Sequence, residues 1–318
     1  MPASCQFDLE YFAKGGYGKG KPLLGIGEGD CCLYFDVLDS EDEANVFEEL
    51  RDEVQWGRMR NRDKDVQRLV AIQGTIDEHP ESGNKREPLY RHPADEQPAL
   101  CHWTPAVDKI RTAIMKDVPD QQLNHCLIQQ YRSPTDSISE HADKTLDIEL
   151  GSNNLNYSSG ATRVMTLRTK KTKTGENNNI IIQKVTLPHN SVFVLGWKTN
   201  SLWKHAIKPD KRMARFKRED ELRNEGQRIS LTFRQVSSYC RHSDFKVYGQ
   251  GGKYKTEQEL DESIANGTFP EEDEAEESVR LLKCFAHENH SATFSWDDCY
   301  GEGFNILNFK VLLNEQTK

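Results

Sequence analysis

The chain has 318 residues, 51 acidic against 42 basic, a formal net charge of −9 and a pI of about 5.6. That length supports one large domain with elaborations, and the acidic balance excludes a global electrostatic footprint for nucleic acid while leaving room for a local basic groove. No apolar run approaches a bilayer-spanning length, the Met-Pro-Ala-Ser-Cys start lacks a signal pattern, and the eight cysteines contain no Cys-x-x-Cys; an intracellular protein, cytoplasmic or nuclear, is expected, without membrane partner, disulfide framework or zinc ribbon.

Residues 1–30 form a glycine-rich segment with no strand-glycine-helix unit and no Gly-Lys-Ser/Thr, so no nucleotide site is expected there. Residues 31–123 read as N-terminal helices and a substrate-lid region. Cys32 to Val37 predicts a short strand, and Ser40 with Glu43 has the capping-box pattern. The helix so opened has Val46, Phe47, Leu50 and Val54 as its buried stripe. From Gln55 to His102 the chain breaks into short pieces carrying Trp56, Arg58, Arg60, Tyr90, Arg91 and His92, the character of a lid, with a strand over Leu69–Gln73. Thr104 and Pro105 are an N-cap and first turn for a second helix lined by Val107, Ile110 and Ile114.

Residues 124–240 read as successive strands: Cys126–Tyr131, Ser137–Asp143, Ala161–Lys170, Asn179–Thr186, Ser191–Trp197 and Gln227–Arg234, with turn residues between, notably 174–179. Many short strands and little helix imply a sandwich or barrel of antiparallel sheets. Residues 241–318 read as an acidic helical extension packing on that core. The run from Glu271 to Glu277 is expected to be a solvated face, and the apolar residues of Phe294–Leu313 are expected to dock back.

The last strand of the block, Arg228-Ile-Ser-Leu-Thr-Phe-Arg234, alternates without a break. Ile229, Leu231 and Phe233 face a core; Arg228, Ser230, Thr232 and Arg234 face a polar space. Two guanidinium groups on one face make a fork for carboxylates. Upstream, His141-Ala-Asp143 puts an imidazole and a carboxylate at i and i+2, and His205 follows in Trp-Lys-His. Two histidines and one carboxylate are the facial set that holds non-haem Fe(II) with positions left for a chelating cosubstrate and oxygen. His79, His92, His189, His287 and His290 fit loops or helix ends and are given no role. Trp197 and Trp203 read as packing, and Arg168, Lys170 and Lys171 as a guarded strand edge.

With these pieces in place the sequence resembles the Fe(II)/2-oxoglutarate-dependent dioxygenases, within them the AlkB-like branch. The matching segments are Cys126-Leu-Ile-Gln-Gln-Tyr131, His141-Ala-Asp143, Trp203-Lys-His205 and Arg228–Arg234, with looser likeness over 55–115. The resemblance implies a mainly β, α+β fold: a double-stranded β-helix (jelly roll) core with flanking helices. It implies Fe(II) held by His141, Asp143 and His205, with 2-oxoglutarate and O2 as cosubstrates. Arg228 and Tyr131 would grip the far carboxylate of 2-oxoglutarate and Arg234 the near one, with Gln129 and Ser230 standing where the branch has asparagines. Trp56, Arg60, Tyr90 and Arg91 would cover the substrate. Nucleobase demethylases of the branch carry an acidic residue two positions after the aspartate ligand; here it is Thr145, which cannot give a charge-assisted contact to a cationic base.

The favoured reading is therefore oxidation of a C–H bond in a small, nitrogen-containing metabolite, with succinate and CO2 released. Its alternative is oxidative demethylation of alkylated nucleobases in DNA or RNA, supported by the branch and by the basic stretch from Trp56 to Arg68. A binding module without chemistry is disfavoured, because all three ligands and both arginines are present.

Overall fold

The computed structural model describes residues 21–307 except 62–63, 94–96, 119–120, 172–179 and 271–273. Most of the glycine-rich segment, the 174–179 turn, the start of the acidic run, and Phe309, Val311 and Leu313 lie outside the described residues. The elements that build the site begin with β1 (Cys32–Phe35), α1 (Val46–Glu53), β2 (Leu69–Gly74), β3 (Lys85–Pro88) and α2 (Pro105–Asp117). Then come β4 (His125–Tyr131), β5 (Ile138–His141), β6 (Asn154–Gly160), β7 (Arg163–Thr169), β8 (Ile182–Leu187) and β9 (Ser191–Leu195). They are followed by α3 (Trp197–Leu202), β10 (Trp203–Ile207), β11 (Arg228–Arg234), β12 (Ser238–Arg241) and β13 (Val247–Gly249). The last are α4 (Glu257–Ala265), α5 (Glu274–His290) and α6 (Trp296–Tyr300).

β11 lies inside the larger sheet, ordered β1-β9-β6-β11-β4-β2, with Lys21–Pro22 and Leu100–Cys101 as its edges. A four-stranded sheet, β5-β10-β7-β8, stands opposite, giving the jelly roll. The apolar face of β11 (Ile229, Leu231, Phe233) is fully buried under α1 and α2, against Val46, Phe47, Leu50, Val107 and Ile110. A second core, including Leu33, Met165, Leu167, Phe193 and Leu195, fills part of the space between the sheets. The other face of β11 looks into that space and carries its arginines, so both faces of the strand are buried.

The strand β6 was not among those expected. Its Asn-Leu-Asn-Tyr-Ser-Ser-Gly composition reads as loop, yet it is buried throughout and pairs with both β9 and β11. Leu155 and Tyr157 join the helix-side core, while Asn156 and Ser158 turn toward β11's polar face. Smaller differences concern caps. Asp39, not Ser40, caps the short helix Ser40–Glu43, and a second helix starts anew at Val46. Thr104 holds the N-cap position of α2, but its hydroxyl meets Gln73 instead of a helix N–H.

The boundary expected at 240–241 runs through β12, which pairs with β3 of the N-terminal region and with β13. α5 and α6 close over Leu146, just past the His-Ala-Asp segment, through Leu281, Phe285, Tyr300, Phe304 and Ile306. Glu277 departs from the expected solvated face: it is buried, and its Oε1 accepts from Asn305 N at 3.1 Å and meets Lys253 Nζ at 2.9 Å. No helix of the described residues is long and apolar enough to cross a membrane.

Candidate functional site

The pairing of β5 with β10 sets His141 opposite His205, with ring centroids 4.3 Å apart. Asp143 follows where β5 ends, its N–H donating to Asn200 Oδ1 and its carbonyl accepting from Asn200 Nδ2, both at 3.0 Å. One ligand atom from each of His141, Asp143 and His205 lies within 4.8 Å of the others. The two Nε2 atoms stand 3.7 and 3.8 Å from Asp143 Oδ1, too far for hydrogen bonds. His141 Nδ1 is held by Ser139 O at 2.9 Å, which leaves Nε2 facing the carboxylate.

Burial pushes His141 down to about 3 and lowers His205, so both rings are neutral donors. Burial alone would raise Asp143. Arg234, whose Nη2 is 2.8 Å from Oδ2, and the two histidines hold it well below the usual carboxylate range instead. Two neutral imidazoles and one carboxylate fit Fe(II). The His141 side chain is 32% exposed, against 11% for His205 and 8% for Asp143, so the cluster opens on the His141 side.

Along the same strand face, β11 pairs Arg228 with Tyr131 and Ser230 with Gln129 on β4. Arg228 Nη2 donates to Asn156 Oδ1 at 2.9 Å and Ser158 Oγ at 2.8 Å, and its Nε has no partner. Arg68, Arg163 and Arg228 place their guanidinium carbons 5.6, 5.5 and 5.4 Å from the Tyr131 ring centre. Gln129 Oε1 accepts from Arg68 Nε at 2.8 Å, and Arg163 Nη1 is unpartnered. Burial, with Arg163 nearby, pushes Arg228 down to about 10. A buried cation whose hydrogen bonds go only to neutral groups is costly unless an anion joins it. The pocket therefore fits a carboxylate of 2-oxoglutarate. Arg234, at the other end of the strand, lies beside the metal cluster with its own Nε free.

Among the expected substrate residues, Tyr90 is brought to the cluster. Its ring lies 4.2 Å under the Arg234 guanidinium, and its hydroxyl accepts from Lys144 N at 3.3 Å. Arg91 is not: it turns the other way into the interior, pairing with Asp147 at 2.7 Å and donating to the carbonyls of Gly251, Phe304 and Ile306. A charged residue in a loop stretch reads as exposed until its distant partner is known. Trp56 packs against the core beneath α1 and α2, with Nε1 bonded to Arg51 O, and Arg60 is exposed on the short hairpin of Arg60–Asn61 with Lys64–Asp65. Thr145 is buried and its hydroxyl donates to Glu288, so it faces α5.

His92, given no role from sequence, stacks on Tyr90 at 5.5 Å with both ring nitrogens unpartnered, and His125 lies 5.4 Å from Tyr90 with Nδ1 unpartnered. Arg163, Asn156 and Ser158 fall in no motif of the sequence, and Arg68 stands there only as the end of a basic stretch. The polar-apolar alternation of β6 was the one available signal, since it matches that of β11.

The sequence pattern of the 2OG-Fe(II) oxygenase superfamily matches residues 30–234. The chain belongs to this superfamily. Within it, the oxygenase is 27% identical over 135 residues to the human "DNA oxidative demethylase ALKBH2", covering 42% of this chain and 47% of that protein. It is 25% identical over 211 residues to the Bos taurus "Alpha-ketoglutarate-dependent dioxygenase alkB homolog 3", covering 64% and 65%. The chain thus spans about half the length of the ALKBH2 relatives it matches. Among solved structures, that of OsALKBH1 is similar with a TM-score of 0.41 and 16% identity, over 65% of this chain and 98% of that one. The cosubstrates of the oxygenase are accordingly 2-oxoglutarate and O2, and its metal is Fe(II).

Proposed function

We propose that the oxygenase removes alkyl groups oxidatively from nucleobases of DNA or RNA. The observation that carries this reading is the Tyr90–His92 pair: an aromatic stack beside the candidate metal cluster, with buried, neutral ring nitrogens on His92 that make no well-aligned hydrogen bond. Burial pushes His92 down to about 4, so its ring offers one donor and one acceptor at neutral pH. Stacking plus hydrogen bonds to a base edge is how a flipped nucleobase is held. The likeness to ALKBH2, a DNA oxidative demethylase by name, supports the same reading.

Iron, when bound, supplies the activation of O2. The chain's part is to hold 2-oxoglutarate by Arg228, to keep the two histidines neutral, and to present the base. One oxygen atom enters a C–H bond of the N-alkyl group and the other ends in succinate as 2-oxoglutarate loses CO2. An N-hydroxymethyl group then breaks down to the free base and formaldehyde. The small-metabolite reading rested on the acidic pI and on Thr145; the Thr145 hydroxyl is committed to Glu288, so this residue faces α5 and reads no base edge, and the base is held by Tyr90 and His92 instead.

The test is formaldehyde and succinate release from single- and double-stranded oligonucleotides carrying N-methylated adenine or cytosine, beside the free methylated nucleosides. Activity on an oligonucleotide, with affinity that falls steeply with salt, is expected. Turnover of nucleosides or other small amines at full rate, with none on any oligonucleotide, would overturn the reading.

A further inference from the structure

Residues 142–145 have left the sheet, so the N–H groups around Asp143 have no strand to donate to. Two of their partners come from the last turn of α5, more than 140 residues later and outside the superfamily match. Ala142, between two ligands, donates its N–H to Asn289 Oδ1 at 2.9 Å. Thr145 N donates to Glu288 Oε1 at 3.0 Å. Glu288 is itself fixed, 2% exposed, with Oε2 accepting from the Tyr300 hydroxyl at 2.7 Å. Lys170 anchors the same turn to the jelly roll: Nζ donates to Glu288 O and to Ser201 O, both at 2.7 Å.

We propose that Asn289 and Glu288 are positioning residues of the metal centre, so that the C-terminal extension is a working part of the active site. A helix attached only for stability would be expected to bury apolar residues. This one does so through Leu281 and Phe285, and in addition aims two polar side chains at the backbone that carries a ligand. Partners that orient metal ligands typically matter by about 10- to 100-fold in metal affinity when removed. The inference rests on reading His141, Asp143 and His205 as metal ligands.

The experiment is anaerobic titration of the full chain with Co(II), followed by its visible absorption, alongside thermal melts. Asn289→Ala is expected to weaken Co(II) binding by about 10-fold or more, measured at a temperature where every variant is folded. Asn289→Asp keeps the acceptor oxygen and should restore most of the affinity. Should alanine prevent folding, Asn289→Ser, polar but too short to reach Ala142, carries the same expectation. A folded Asn289→Ala or Asn289→Ser protein that binds Co(II) as wild type does, or an equal loss in Asn289→Asp, overturns the positioning role. Wild-type protein that binds no Co(II) overturns the ligand assignment itself, and this inference with it.

Discussion

Arg228→Met tests the anion pocket most directly. The methionine fills much of the same buried space and removes the one charge that β11 aims at Asn156 and Ser158. In the free protein that charge is poorly served, since burial pushes Arg228 down to about 10. A depression of this size costs the folded, charged state on the order of 3 kcal/mol. Losing two hydrogen bonds from a charged group costs about 3–6 kcal/mol in total. The relief of burial offsets much of this, so the variant should fold with at most a modest loss of stability, and the main consequence should fall on the ligand. Truncating one partner of a buried charge pair costs about 2–5 kcal/mol, roughly 30-fold or more in 2-oxoglutarate affinity. The assay is titration of 2-oxoglutarate into anaerobic Fe(II) protein, read by the metal-to-ligand charge-transfer band. Ligand-induced stabilisation, which grows as RT ln(1 + [L]/Kd), should vanish from the melt over the same range. Undiminished affinity in a folded Arg228→Met protein would refute the assignment of this strand as the carboxylate clamp.

Three further outcomes follow from the geometry. Arg91→Ala breaks a buried pair with Asp147 and should cost about 3–5 kcal/mol of stability in denaturant melts, while 2-oxoglutarate affinity at low temperature stays as in wild type; a loss of affinity without a loss of stability would return Arg91 to the lid. Asp143→Ala removes a ligand and also strands the Arg234 guanidinium 2.8 Å away, so it should lose metal binding and melt lower than Asp143→Asn, which keeps an acceptor; equal melting of the two would mean that the pair with Arg234 contributes little. His92 and His125 are both lowered by burial, so the unfolded chain takes protons that the folded chain refuses. Stability should be full above about pH 6.5 and fall as pH drops toward 4, by up to about 3 kcal/mol from His92; His92→Phe should remove that share of the fall while the other buried histidines keep theirs, and an unchanged slope would place the proton uptake elsewhere.

The sequence by itself determined what depends on local period and residue type. The alternation of Arg228–Arg234 determined which face holds the core and which the arginines. The His-x-Asp spacing and a histidine after a later strand pointed to the three side chains that the structure brings together as a candidate metal set, because strand pairing joins such residues when their strands are neighbours. The stripes of α1 and α2 were equally legible. Tertiary structure alone decided where polar groups find their partners, since a hydrogen-bond partner can come from anywhere in the chain. Arg91 and Tyr90 are adjacent in sequence, yet one is locked on Asp147 and the other faces the metal cluster. β6 was hidden because a strand whose inward face serves a charged pocket is made of asparagine and serine, the residues that also make loops. Asn289 and Glu288 carried no local sign at all: they matter only because Ala142 and Thr145, far earlier in the chain, have left their sheet and must donate to something.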